Sequence, residues 1–352
     1  MNVLSLFDGM SCGQIALNKL GIKYDKYFAS EIDKYAMQVT QHNFPDTVQL
    51  GDVQFVTKET FGTHKIDLVV GGSPCQGFSF AGKMLNFDDP RSKLFFEYVR
   101  LVKELKPKYF LLENVKMKKE SQDIISKYMG VEPIEINSSL VSAQTRKRLY
   151  WTNIPNVSQP EDKGVVLRDI IESGYIDDRM VNEGKSHCLT ARYSGAVWWN
   201  SIERRQRTMV SLEQVDDKLR HPEATKKGYA EAGEDEGLDL TFPKSKTRRG
   251  RAMKDKSNCL TAASHEMGVV EKDNVLSENE PGRYPNAYED KKLVWRKLTP
   301  LECERLQTVP DGHSLVLDDN GKQLVSDSQR YKMLGNGWTV DVITHILKNM
   351  EL

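Results

Sequence analysis

No stretch of this chain approaches the ~20 consecutive apolar residues that a membrane-spanning helix needs, and its mean hydropathy of −0.55 suits a soluble globular protein. No Cys-x-x-Cys pair occurs either. The five cysteines (Cys12, Cys75, Cys188, Cys259 and Cys303) are odd in number and widely scattered, which argues against a disulfide framework and for a reducing cytoplasm. The opening Met1-Asn2-Val3-Leu4-Ser5-Leu6-Phe7 has no basic region, extended apolar core or small-residue cleavage site, so no secretory signal is expected. An excess of one charge is also lacking: Lys+Arg and Asp+Glu each number 50, for a formal net charge of zero. Any surface for a polyanion must therefore be local. What the chain does have is length: its 352 residues, 39% hydrophobic and 28% charged, predict about two domains with ample core.

Over the first 150 residues short apolar runs alternate with amphipathic stretches, the pattern of β-α units feeding a mostly parallel sheet. Strands are expected at residues 3–7, 27–30, 66–70 and 110–112, with Glu31 and Glu113 at strand ends and a first helix over 14–20. In such open sheets ligands bind at the carboxyl ends of the strands. Beyond about residue 155 the chain becomes more charged, and its loops are rich in Gly, Ser and Asn, which reads as a second domain. Glu231, Glu234, Asp235, Glu236 and Asp239 form an acidic run, and Lys244, Lys246, Arg248, Arg249, Arg251, Lys254 and Lys256 a basic one. Taken alone, such runs are solvated loops. Lys185-Ser186-His187-Cys188-Leu189-Thr190-Ala191 recurs as Lys256-Ser257-Asn258-Cys259-Leu260-Thr261-Ala262. The echo fits equivalent strand-and-turn units; with His265, it matches no zinc spacing, and no metal is expected. Residues 298–352 return to helical periodicity and include the apolar stretch 340–347.

Three segments carry chemistry. The apolar run at 66–70 opens into Gly71-Gly72-Ser73-Pro74-Cys75-Gln76-Gly77, which seats a thiol in a glycine-rich loop beyond a strand. A lone cysteine usually packs as a small hydrophobe, but Pro74 and Gln76-Gly77 disfavour core packing here. Attack at neutral pH requires the thiolate to be stabilised or formed as reaction begins. Leu111-Leu112-Glu113-Asn114-Val115 presents a carboxylate from an apolar run, where burial would let it donate as well as accept a proton. In Gln144-Thr145-Arg146-Lys147-Arg148, an extended backbone would turn Arg146 and Arg148 to the same side.

In this order and spacing, Pro74-Cys75-Gln76, Glu113-Asn114-Val115 and Gln144-x-Arg146-x-Arg148 resemble the cytosine-C5 DNA methyltransferase family. Phe7-Asp8-Gly9 is similar to its cofactor motif, Leu298-Thr299-Pro300 with Glu304-Arg305-Leu306-Gln307 to a late structural motif, and Leu334-Gly335-Asn336-Gly337-Trp338-Thr339-Val340 to the terminal cofactor motif. The likeness covers residues 1–155 and 294–352. Gly71-Gly72-Ser73-Pro74-Cys75, Leu94-Phe95-Phe96-Glu97, Val141-Ser142-Ala143 and Trp338 are closest to the catalytic domains of the vertebrate de novo enzymes. A start almost at the first motif suits a bacterial or phage enzyme.

The resemblance implies a Rossmann-like α/β fold dependent on S-adenosylmethionine, with a mixed, mostly parallel sheet, and a smaller irregular target-recognition domain. Residues 1–157 and 330–352 would be catalytic and 158–329 would recognise the target. Cys75 would add to C6 of a flipped cytosine, Glu113 would engage N3 and the exocyclic amine, and Asn114 would hold the loop. Arg146 and Arg148 would bind the base carbonyl or a phosphate and support the thiolate. Phe7, Asp8, Gly9, Met10, Ser11 and Cys12 would wall the cofactor, with Glu31 on the ribose, Ile32 and Asp52 on the adenine, and Val53 donating a backbone N–H. Pro74 would also touch the cofactor, while Asn336, Gly337 and Trp338 would close its methionine end. Where much of the family has Gly-x-Gly after Phe-x, this chain has Gly9-Met10-Ser11.

Implied DNA contacts are Gln76, Ser79, Lys246, Arg248, Arg249 and Arg251. The partner would be double-stranded DNA, with a cognate restriction endonuclease conceivable and a monomer expected. Among the alternatives, a tRNA methyltransferase would carry a Cys-Phe-Thr signature in the recognition region, which is missing. A silent DNA-binding relative would have lost Cys75, Glu113 or the arginines. A related phage enzyme transferring another group to cytosine stays open.

Overall fold

The computed structural model describes residues 1–73, 90–174, 176, 180–196, 201, 204–211, 214–215, 218–222, 229–232, 237–239, 252–253, 267–269 and 295–351. They divide into two compact units, Met1–Val165 with Gln307–Val325 and Asn336–Leu352, and Val166–Leu306 with Ser326–Gly335.

The first unit is built on strands β1 (Asn2–Leu6), β2 (Lys26–Ser30), β3 (Val48–Gln49), β4 (Leu68–Gly71), β5 (Tyr109–Val115), β6 (Ile134–Asn137) and β7 (Lys147–Thr152). They form one sheet in the order β3-β2-β1-β4-β5-β7-β6. The first five are parallel, while β7 runs antiparallel to both β5 and β6. The mixed, mostly parallel α/β expectation holds. Val3, Leu4 and Leu6 of β1 and Leu68, Val69 and Val70 of β4 are all buried, as central strands covered on both faces must be. Helices α1 (Cys12–Lys19), α2 (Lys34–Asn43), α3 (Pro90–Leu105) and α4 (Lys119–Met129) follow β1, β2, β4 and β5 in the chain. On α3, Phe95, Tyr98 and Val99 recur at helical spacing and enter a core shared with Leu4, Leu6, Phe28, Val69, Leu112 and Trp151.

The chain winds outward from β1 through β2 to β3, then returns to β4 on the other side of β1. That reversal opens a crevice at the carboxyl ends of β1 and β4, where open α/β sheets bind ligands. One expectation needs correction: Glu113 lies within β5, not at its end. Pairing with β4 stops at Leu112, but β7 continues the ladder through Glu113, Asn114 and Val115. The apolar stretch at 340–347 forms the helix Val340–Leu347, which packs on α1, and Asp341 takes Lys19 at 2.5 Å and Lys163 at 2.7 Å.

The second unit consists of short elements. The helix Leu167–Ile170 precedes the ribbon Val181–Asn182 with Lys185–Ser186, and Met209–Ser211 pairs with Trp295–Lys297. Gln214–Val215, Lys218–Pro222 and Tyr229–Ala232 make one small sheet, and Gly237–Asp239 joins Ala252–Met253 and Met267–Val269 in another. The acidic run therefore occupies strand positions at Glu231 and Asp239 rather than a loop alone. Of the sequence echo, Lys185–Ser186 is a strand, while 256–262 lies outside the described residues. Thr299-Pro300-Leu301-Glu302 starts the helix Pro300–Leu306 with a reciprocal cap: Glu302 accepts from Thr299 N–H at 2.8 Å, and its own N–H donates to Thr299 Oγ1 at 3.2 Å. Gly335 lies against the Thr190-Ala191 backbone so closely that an ideal Cβ would overlap it.

Candidate functional site

Beyond β1 the chain reverses through Phe7 and Ser11, both at positive φ (58° and 64°), with Gly9 at 61° between them. Polar anchors hold this strained turn. Glu31, just past β2, accepts from Gly9 N–H at 2.8 Å through one carboxylate oxygen, and from Ile32 and Asp33 N–H at 2.7 and 2.8 Å through the other. Asp8 turns inward and accepts from Ser11 Oγ at 2.6 Å and Tyr27 Oη at 2.9 Å. Gly13 leaves room for Tyr27, whose hydroxyl would lie 2.6 Å from a Cβ there. A ring nitrogen of buried His313 meets the Met10 carbonyl at 3.0 Å. Nothing in the sequence around His313 pointed to that role.

Burial pushes the Asp8 carboxyl up from 3.8 to about 6, against hydrogen bonds from Ser11, Ser5 and Tyr27, with Glu31 adding to the rise. Burial also raises the Cys12 thiol to about 12, despite a hydrogen bond with the Trp338 backbone, which makes Cys12 an inert wall residue. The Asp8 shift has a definite sign. The folded state holds the proton more tightly than the unfolded chain, so stability falls as pH rises from about 4 to about 6. Asp8→Asn preserves the shape and is expected to flatten that decline. Its gain over the wild-type chain should be up to about 3 kcal/mol at pH 7 and disappear at pH 4. Urea midpoints across this range are the check.

Ile32 is 74% exposed, and Ser30 Oγ donates to the Gly51 carbonyl at 2.8 Å, which brings Asp52 to the end of β2. Asp52 also caps a short turn through Gln54 N–H at 3.0 Å, and Val53 is buried below it. An exposed apolar side chain beside two carboxylates matches the face and hydroxyls of a nucleoside.

Across the crevice, Glu113 is nearly buried. Its Oε1 faces Arg148 Nε at 3.0 Å, and its Oε2 accepts from Trp338 Nε1 at 3.2 Å. Asn114 Nδ2 donates to the carbonyl and hydroxyl of Ser73 at 3.2 and 3.3 Å. Arg146 is buried and donates to the Gly337 carbonyl at 2.9 Å. Gln307 donates to the same carbonyl at 3.2 Å, while its own side-chain oxygen takes Gln144 Nε2 and Thr339 Oγ1, each at 2.9 Å. Glu113, Asn114, Arg146, Arg148, Gly337 and Trp338 thus form one cluster, with Asn336 just before it in the chain. Sequence reasoning missed the bond between Trp338 and Glu113, having assigned them to different ligands.

Pro74, Cys75, Gln76, Ser79, Lys246, Arg248, Arg249 and Arg251 lie outside the described residues. Among the described residues no group of His, Cys, Asp and Glu is arranged to hold a metal, and no helix is long and apolar enough to cross a membrane.

A family model for C-5 cytosine-specific DNA methylases matches residues 1–352. The chain belongs to that family. Curated relatives of this methylase include the orphan methyltransferase M.SPRI of Bacillus phage SPR, 27% identical over 99% of this chain and 97% of the relative. The type II methyltransferase M1.ScrFI of Lactococcus lactis subsp. cremoris is 28% identical over 99% of this chain and 77% of its own. Among solved structures, the S. pombe Dnmt2 methyltransferase aligns with a TM-score of 0.56 at 16% identity, covering 99% of this chain and 97% of that one. At that identity the match speaks for the methyltransferase fold alone.

Proposed function

We propose that this methylase transfers a methyl group from S-adenosylmethionine to C5 of a cytosine flipped out of a specific double-stranded DNA sequence. The observation that carries the reading is the Glu113 cluster: a nearly buried carboxylate, gripped on both oxygens, beside the Gly72-Ser73 segment that leads to Cys75.

A carboxylate oriented in this way accepts from the exocyclic amine of cytosine and shares a proton with N3, which selects cytosine over thymine. The Cys75 thiolate adds to C6, forming an S–C6 bond and placing the C5=C6 electron pair on C5. The bound cofactor supplies the electrophilic methyl that C5 takes. A base then removes the C5 proton, the double bond re-forms and the thiolate leaves. Phe7, Asp8, Gly9, Met10, Ser11, Cys12, Glu31, Ile32, Asp52, Val53 and Pro74 would hold the cofactor, with Asn336, Gly337 and Trp338 at its methionine end. Arg146 keeps the Gly337 carbonyl in place, and Arg148 supports Glu113.

Because C6 is inaccessible inside a duplex, the base must leave the stack. The second unit would then read the target, with Gln76, Ser79, Lys246, Arg248, Arg249 and Arg251 on bases or phosphates. The working form is a cytoplasmic monomer without metal, with or without a cognate endonuclease. Purified protein incubated with labelled S-adenosylmethionine and unmethylated duplex DNA should leave 5-methylcytosine in a single sequence context, mapped at base resolution. Absence of transfer to DNA by cofactor-bound protein would overturn this reading and favour RNA or another donor.

A further inference from the structure

We infer that Trp338 is a positioning residue for cytosine recognition: its indole N–H sets the plane of the Glu113 carboxylate and so tunes how tightly the exocyclic amine is read. The inference deepens the proposed function and rests on its assignment of Glu113.

An ionised carboxylate offers about four lone-pair directions, two on each oxygen. Arg148 Nε takes one at Oε1 (3.0 Å), and Trp338 Nε1 takes one at Oε2 (3.2 Å). Each oxygen keeps one acceptor direction, and the two together match the exocyclic amine and, once the proton is shared, the N3–H of cytosine. With Arg148 alone, the carboxylate could rotate about its terminal bond, a soft and broad torsion. A second donor on the opposite oxygen removes that freedom.

Two further observations support this role. Gly72 makes space for the pair, since a Cβ there would lie 3.0 Å from both Glu113 Oε2 and Trp338 Nε1. The backbone leading into Trp338 is itself fixed, by the Arg146 and Gln307 bonds to the preceding Gly337 carbonyl.

The test compares binding of two duplexes that contain the mapped target sequence, one with cytosine at the target and one with 2-pyrimidinone, which is cytosine without its exocyclic amine. Both are measured with S-adenosylhomocysteine bound. The cost of extruding each base is a property of the DNA and cancels when proteins are compared. In Trp338→Phe and Gly72→Ala the preference for cytosine over 2-pyrimidinone should fall about tenfold relative to wild type. Trp338→Phe removes the donor but keeps a ring in place, whereas Gly72→Ala keeps the donor and wedges a methyl against the pair. If both duplexes lose affinity in parallel, or neither does, Trp338 serves only cofactor or packing and the inference is overturned. A Glu113→Gln protein with an unchanged preference overturns both the inference and the role given to Glu113, whereas failure of the Trp338 and Gly72 variants alone removes only the inference.

Discussion

Cys75→Ala is expected to reduce methyl transfer by at least about a thousandfold, and Glu113→Gln by roughly a hundredfold to a thousandfold. The two losses have different origins. C5 of cytosine is a weak nucleophile until a group adds to C6, so removing the thiol closes the route altogether. The approach to position 75 stays anchored by the Asn114 bonds to Ser73. Glutamine at 113 keeps the shape but replaces one acceptor oxygen with a donor. The two groups that grip the native carboxylate, Arg148 and Trp338, both present an N–H, and an amide, unlike a carboxylate, can neither carry the negative charge that stabilises a protonated N3 nor give up a proton to it. Single-turnover incorporation of labelled methyl at saturating cofactor and DNA measures both effects, with thermal melting to confirm folding. Wild-type rates from Cys75→Ala would remove the covalent route.

Arg296→Met should destabilise the protein by about 3–5 kcal/mol, a large share of the stability of any domain. Arg296 and Glu302 are both buried and form a two-bonded pair, Nη1 to Oε2 at 2.8 Å and Nη2 to Oε1 at 2.7 Å. Glu302 also accepts from the N–H groups of Thr299 and Glu172, at 2.8 and 2.7 Å. Removing the guanidinium strands a carboxylate where water cannot reach it. In Arg296→Met with Glu302→Leu the stranded charge is gone, so most of the loss should be recovered. About 1 kcal/mol should remain missing with the helix cap. Urea unfolding of the two variants decides the point, and a single variant within 0.5 kcal/mol of wild type on the ~1 kcal/mol scale of ordinary substitutions would contradict it.

The sheet was legible because periodicity reports burial. Apolar runs at 3–7 and 66–70 mark strands covered on both faces, and β1 and β4 lie there to within two residues. Strand ends were harder to read. The end of β5 depends on β7, whose antiparallel pairing carries the ladder past Leu112, and no local signal in residues 109–115 reveals a partner so far along the chain. The cluster was legible as a set of motifs but not as a network. The family resemblance implied roles for Glu113 and Arg146 on the base and for Trp338 on the cofactor. It was silent on the bond from Trp338 to Glu113 across 225 residues of sequence, and on His313, a lone histidine in a polar loop.

The interleaved architecture also has a temporal consequence. Arg146 is buried against the carbonyl of Gly337, 191 residues later, and Lys19 on α1 meets Asp341, 322 residues later. During vectorial synthesis the sheet strands β1–β7 emerge first, yet the guanidinium of Arg146 has no Gly337 carbonyl to meet and α1 lacks its covering helix until the segment after residue 336 has left the ribosome. Contacts of such long sequence separation form late and slowly. Nascent chains halted between residues 165 and 336 would therefore hold Glu113 and Arg148 without Trp338. Catalytic competence would arrive as a step once the segment after residue 336 has been made rather than grow with the chain's length.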